Sequence, residues 1–271
     1  MIMIDIIKKK INELLEGGSV KAVVALKTVN GHITPCLFHR GDSLDDLNLG
    51  DREAPGDTRY PLNRVLCTIA GKYPDDVFGI IVRGCDERGL YTLYRLNQLE
   101  KDKVVPIGIP CPEELAKVCE CLKPCPDQIV EGLECMAEPV SQHGLENMDA
   151  KDIDDRFSFW TDQFLKCVKC YGCRDICPMC FCRECSLECE DLVSKGELPV
   201  DIPVFHLTRA MHMADRCIDC GLCEQACPAD IPLRLLYKNT ARIMKDEFGF
   251  SSGINQNEPS PLSQLGPAPE K

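Results

Sequence analysis

Residues 167–189 read CVKCYGCRDICPMCFCRECSLEC, and this stretch decides how the second half of the chain is read. It holds eight of the chain's 20 cysteines within 23 residues. Its first half is Cys167-x-x-Cys170-x-x-Cys173-x-x-x-Cys177, followed by Pro178. The same spacing returns as Cys217-x-x-Cys220-x-x-Cys223-x-x-x-Cys227, followed by Pro228. Three thiolates on a tight loop and a fourth before proline form the ligand run of a bacterial-type 4Fe-4S cluster. Two such runs in one chain predict two clusters.

A cubane cluster needs thiolates from four directions. A Cys-x-x-Cys-x-x-Cys loop wraps three corners and turns its backbone N–H groups inward. In two-cluster ferredoxins the cysteine before proline serves the other cluster. On that pattern Cys167, Cys170 and Cys173 take Cys227, while Cys217, Cys220 and Cys223 take Cys177. The crossing clamps both halves of the module together. Metal binding then contributes directly to folding, and the apo form is expected to fold poorly.

Forty positions separate Cys177 from Cys217. An insert of that length, with a helix expected over Val204 to Ala214, fits an α-helical ferredoxin by analogy. That arrangement occurs in the iron–sulfur subunits of succinate dehydrogenase and heterodisulfide reductase. The rest of the opening stretch adds Cys180, Cys182, Cys185 and Cys189. Four unpaired buried thiols so close together are an oxidation liability. They are read as ligands of an extra cluster, with a structural zinc as the alternative. Zinc sites use paired Cys-x-x-Cys units, often with histidine. The triplet spacing with Cys-Pro argues against zinc in the two main runs. The five histidines lie outside the cysteine runs and are read as surface or core residues.

The 271 residues suit two modest domains. Acidic residues outnumber basic ones, 43 to 31, giving a net charge of −12. Without a long basic run, nucleic acid and anionic membrane are poor partners. The first residues, MIMIDIIKKKINELLEGG, place lysines after the apolar positions, unlike a secretory signal. No apolar run reaches the roughly 20 residues that span a bilayer. The chain is therefore expected to be cytoplasmic, where many cysteines point to metal or redox chemistry rather than disulfides.

In the first half, Ile4, Ile7, Ile11 and Leu14 have helical spacing, and Gly17-Gly18 ends that helix. VKAVVALKT and HITPCLF read as a hairpin through Asn30-Gly31. Residues 41–59 read as a loop, and Pro61 opens a helix. Strands at 77–82 and 104–109, each followed by a helix, predict parallel pairing. Residues 126–150 read as a strand plus a linker. Phe157, Trp160 and Phe164 are expected on one side of a helix, packing around the clusters.

Cys85 and Cys111 then fall just past the carboxyl ends of parallel strands, where open α/β sheets bind ligands. Cys119, Cys121 and Cys125 follow. Four of these five could hold a further cluster; the alternative is that some are ordinary buried cysteines. Arg83 and Arg88 are read as structural arginines that could also reach a phosphate at the sheet edge.

The segments AVVALK, RYPLNRVL, FGIIVRGCDERGL, VVPIGIPCPE and CLKPCPD, with CVKCYGCRDICPMCFCREC, resemble the coenzyme F-420-reducing hydrogenase and dehydrogenase beta-subunit family. The formate dehydrogenase beta-like branch, which carries a two-cluster ferredoxin module, is nearest. The likeness is expected to reach about residue 240. It implies electron transfer between clusters and, in full members, a flavin that exchanges electrons with a deazaflavin coenzyme. Flavin-binding members place a glycine-rich stretch and a helix before the first strand. Here only Gly17-Gly18 stands there, so a cluster-only relay is the simpler reading and FAD the alternative.

The expected architecture is thus an α/β domain over 1–145, a mainly α ferredoxin domain of α-helical type over 150–248, and a disordered tail over 250–271. The expected function is an iron–sulfur electron-transfer subunit of an anaerobic oxidoreductase. Its partners would be other subunits of a formate dehydrogenase, hydrogenase or heterodisulfide reductase type complex. A flavin enzyme using coenzyme F-420 or NAD(P) and a zinc-stapled interaction module are the alternatives.

Overall fold

A computed structural model of the chain describes residues 2–50, 60–140, 143–189, 191 and 202–263. It divides into two compact units, Met1–Ser141 and Gln142–Lys271.

The first unit is built on a mixed sheet in the order β2-β1-β4-β5. Helix α1 (Ile2–Glu16) leads into β1 (Ala22–Val29) and β2 (His32–His39). Asn30 and Gly31 both have positive φ, 51° and 78°. Left-handed backbone at both turn positions matches the twist of the flanking strands, which selects the Asn-Gly hairpin. The short β3 (Leu47–Asn48) also pairs with β1 and lies in the stretch read as a loop. Residues 51–59 of that stretch lie outside the described residues.

Helix α2 (Leu62–Lys72) precedes β4 (Phe78–Val82) and α3 (Gly84–Arg95); β5 (Val104–Gly108) and α4 (Glu113–Val118) repeat the unit. β1 pairs with β4, and β4 with β5, in parallel. All five β4 residues are buried, as a parallel strand covered on both faces requires. On one face Ile7, Ile11 and Leu15 of α1 pack on Val23, Ala25, Ile81 and Ile107. Ala22, Val24 and Ile80 are equally inaccessible, and α2 and α3 lie against these strands.

Two glycines set the carboxyl edge of this sheet. A Cβ on Gly84 would come within 1.9 Å of the Lys123 carbonyl oxygen, and one on Gly108 within 1.8 Å of that of Gln128. The segment after α4 therefore runs directly over the ends of β4 and β5. It is not the strand expected there. Val130 donates its N–H to Gly108 O and Val140 to Cys121 O, single bonds rather than a ladder. Gly132, at φ 89°, interrupts the short apolar run, while Val130 and Leu133 still cover the core.

The second unit is helical: α5 (His143–Asp149), α6 (Ile153–Leu165), α7 (Gly172–Asp175), α8 (Ile202–Met213), α9 (Leu222–Gln225) and α10 (Leu233–Phe248). Asp152 caps α6, its carboxylate accepting the Asp155 N–H at 2.8 Å. Of the three aromatics expected to pack together, Phe164 is buried and stacks with Trp160, but Phe157 is 74% exposed. Residues 250–263 fall within the stretch read as a disordered tail. Phe250 nevertheless packs on Ala214 and Met244, and buried Ser260 donates to Asp215 at 2.6 Å. Residues 264–271 lie outside the described residues.

Candidate metal centre

The two cysteine runs fold as structural repeats. In the first, Lys169 and Tyr171 take left-handed backbone conformations; in the second, Asp219 and Gly221 do so at the matching positions. Each loop turns its second N–H back onto its first sulfur: Lys169 N to Cys167 Sγ and Asp219 N to Cys217 Sγ, both at 3.4 Å. Each enters a four-residue helix, α7 or α9, and these two helices touch. After each Cys-Pro a turn closes on the cysteine carbonyl, from Cys180 N to Cys177 O and from Asp230 N to Cys227 O.

The repeats create two cavities. The first is lined by Cys167, Cys170, Cys173 and Cys227. The second is lined by Cys177, Cys217, Cys220 and Cys223. Each cavity therefore takes three thiols from one loop and one from the other. Four thiols ringing a small space suit a cluster with several metal atoms, one per thiolate.

The surroundings disfavour the thiolate form at Cys173 and Cys177. Burial pushes the Cys173 thiol up to about 11. A hydrogen bond with Cys180, together with burial, holds the Cys177 thiol well above its ordinary value. Such thiols ionise only when a positive group supplies the compensating charge.

Helix α8 faces both cavities. His206 lines the first and is buried, with neither ring nitrogen hydrogen-bonded. Its ring stacks on Phe164 at 4.6 Å between centroids. Burial, and then the Arg209 charge, lowers its pKa to about 4, so the imidazole is neutral. Arg209 lines the second cavity. It is 2% exposed, donates Nη1 to Cys180 Sγ at 3.1 Å and Nη2 to Cys173 O at 2.8 Å, and lies over the Tyr237 ring. Burial opposes its charge, but the surrounding Tyr237 and cysteine groups more than offset this and keep it protonated.

The four further cysteines of the opening stretch differ in their surroundings. Cys180 contacts Arg209, and Cys185 hydrogen-bonds Arg174. Cys182 and Cys189 are exposed. The segment is pinned by Tyr171, which donates to Leu187 O at 2.9 Å.

In the first unit Cys85 lies in the first turn of α3, past β4, and Cys111 just past β5. Cys119 ends α4, and Cys121 donates its N–H to Ala116 O. Cys125 is joined to Cys135 in a disulfide, Cα to Cα 6.1 Å. As a metal ligand Cys125 would need that bond open. Arg83, a candidate phosphate ligand, is buried and donates to Leu49 O at 3.0 Å and Cys111 Sγ at 3.6 Å. Sequence reasoning passed over Arg209, Tyr237 and Cys135, and read His206 only as a surface or core residue. The His206–Arg209 pair, one helical turn apart in the insert, was the readable signal for two of them.

Residues 211–232 match the family model described as 4Fe-4S binding domain. The chain carries a 4Fe-4S binding segment. Over 100 residues it is 42% identical to F420-dependent formate dehydrogenase subunit beta of Methanocaldococcus jannaschii, covering 37% of this chain and 26% of that one. Over 103 residues it is 43% identical to F420-dependent formate dehydrogenase 1 subunit beta of Methanococcus maripaludis, covering 38% of this chain and 26% of that one. The resemblance to formate dehydrogenase beta subunits therefore holds, over a shorter span than the reach to residue 240 expected above. The chain matches about a quarter of the length of these curated relatives. No helix among the described residues is long and apolar enough to cross a membrane.

Proposed function

We propose that the chain is an iron–sulfur electron-transfer subunit of a cytoplasmic oxidoreductase complex, of the formate dehydrogenase type suggested by its relatives. The observation that carries this reading is the sorting of eight cysteines into two four-thiol cavities, each sharing one ligand with the opposite loop. Cys167, Cys170, Cys173 and Cys227 hold one 4Fe-4S cluster; Cys177, Cys217, Cys220 and Cys223 hold the other. The helical surroundings and the α8 insert support an α-helical ferredoxin arrangement.

The clusters supply one-electron chemistry. The protein supplies burial, N–H groups at the sulfurs and fixed charges, which set the potentials. A single zinc would need its thiolates at about 2.3 Å from one point. The Cys-x-x-Cys-x-x-Cys loops, each followed by a Cys-Pro, support a cluster instead. Cys180, Cys182, Cys185 and Cys189 remain candidates for an extra centre, and Cys85, Cys111, Cys119, Cys121 and Cys125 for another.

Anaerobically purified protein should show the absorbance and low-temperature EPR of reduced 4Fe-4S clusters. It should pass electrons from a reduced dye to an acceptor without added flavin. A requirement for bound FAD, with coenzyme F-420 or NAD(P) turnover by this chain alone, would replace the relay reading with the flavoenzyme one.

A further inference from the structure

The geometry points to helix α8 as the element that makes the two clusters unequal, with Arg209 holding the transferred electron on the cluster of the second cavity. This rests on the two-cluster reading above. Arg209 and His206 lie one turn apart on the same helix and face different cavities. A reduced cluster with its thiolates is more negative than the oxidised one. A buried cation beside it therefore stabilises the reduced state more and raises the potential.

The charges around each cavity differ in the same sense. The second cavity has Arg209, fully desolvated, and Arg234, which donates to Asp219 at 2.7 Å. Buried Lys238 also approaches Asp219, at 3.9 Å. Two of these three cations are thus drawn onto a single carboxylate, whereas the Arg209 guanidinium meets Cys180 Sγ, the Cys173 carbonyl and the Tyr237 ring. The first cavity presents the His206 ring, and its cation, Lys169, is partly exposed. Water screens a charge at that rim far more than one in the interior. Arg209 lines the second cavity; it also donates to the carbonyl of Cys173, a residue of the first, and its sulfur contact, Cys180, belongs to neither four-thiol set.

With both clusters bound, one electron would pass from the first site to the second, one cluster being oxidised and the other reduced, with no bond or proton changing place. Arg209 biases that equilibrium toward the second site. Cys180, seated on the guanidinium, fixes the direction of the Arg209 side chain.

The test is an EPR-monitored redox titration of the full holoprotein, comparing wild type, Arg209→Met and Arg209→Lys, with iron and acid-labile sulfide counted for each. Wild type should give two separated midpoints. Arg209→Met should lower the higher one by at least a tenfold change in reduction equilibrium, about 59 mV for one electron, and narrow the gap. Arg209→Lys should keep most of the gap. Full iron with an unchanged gap in Arg209→Met overturns the inference alone. Wild-type protein without cluster iron and sulfide overturns the two-cluster reading beneath it.

If Arg209→Met fails to assemble, wild type reduced by one electron equivalent decides. Its EPR signal should be the one altered by Cys177→Ser and not by Cys227→Ser. The opposite assignment overturns the inference.

Discussion

Cys177 lines the same cavity as Cys223, a residue of the other loop, and not the cavity of the loop it follows. Its counterpart Cys227 does the reverse. This exchange makes the two centres interdependent, and it sets a specific pattern of mutational coupling. Cys177→Ser and Cys223→Ser remove ligands of one site, so the double variant should lose little more iron than either single variant. Cys177→Ser with Cys173→Ser touches both sites and should lose close to all of it. Iron counts and EPR spin quantitation check this as a double-mutant cycle. If Cys177 instead paired with Cys173, the two outcomes would be exchanged.

The second half of the opening stretch is placed differently from the first. Cys182 is exposed and Cys185 is held by Arg174, away from both cavities. Cys182→Ser or Cys185→Ser should therefore retain about eight irons, the complement of two 4Fe-4S clusters. Electron delivery to an external acceptor should fall. Loss of all iron in either variant would mean that the segment is structural.

Stability of the first unit leans on one buried ion pair. Lys123 donates to Glu87 at 2.8 Å, with side-chain exposures of 15% and 4%. Glu87 also accepts the Asp127 N–H, at 2.9 Å to one oxygen and 3.0 Å to the other. Glu87→Ala leaves that amide without its acceptor and Lys123 with the more exposed Asp127 alone, at 2.8 Å, and should cost about 3 kcal/mol in denaturant unfolding of this unit. Replacing Lys123 by Met in the same chain should restore part of the loss, since no desolvated charge is then stranded.

Asp127 adds a pH dependence to the same region. Partial burial pushes its carboxyl up, but hydrogen bonds from Lys123 and Tyr91 outweigh this and hold it below the usual 3.8. A lowered folded-state pKa means that the stabilisation is complete above about pH 3.8 and is lost as pH falls through the lower folded value. Asp127→Asn should flatten that acid branch and leave the slope near neutrality unchanged. An unaltered acid branch in the variant would remove Asp127 from the account.

Iron removal should act on the second unit. Its two loops are joined across the cavities, each of which takes a thiol from the opposite loop. Chelation under reducing conditions should lower helicity and abolish amide protection around α7, α8 and α9, while the sheet of the first unit stays protected. Hydrogen exchange measures both units in one experiment.

Much of this was legible in the sequence because local rules agreed with one another. Asn30-Gly31 carries its own hairpin geometry, and the β4 and β5 segments read as apolar strands followed by helix starts. The cysteine spacing carries its loop geometry in the same way. Residues 126–140 were misread because Ile129, Val130 and Leu133 look like a strand, yet Gly132 at positive φ and the close approach to Gly108 make them a covering loop. Phe250 and Ser260 were hidden in a segment of disorder-like composition, since two side chains meeting distant partners leave no periodicity. His206 and Arg209 escaped because a buried histidine and a helical arginine are common, and only the cavities beside them give them meaning.

The most direct test of the central claim is iron, acid-labile sulfide and zinc per chain in anaerobically purified full-length protein. The account predicts about eight irons and as many sulfides from the two crossed sites, and more only if the further cysteines are loaded. Substantial zinc without acid-labile sulfide would contradict it.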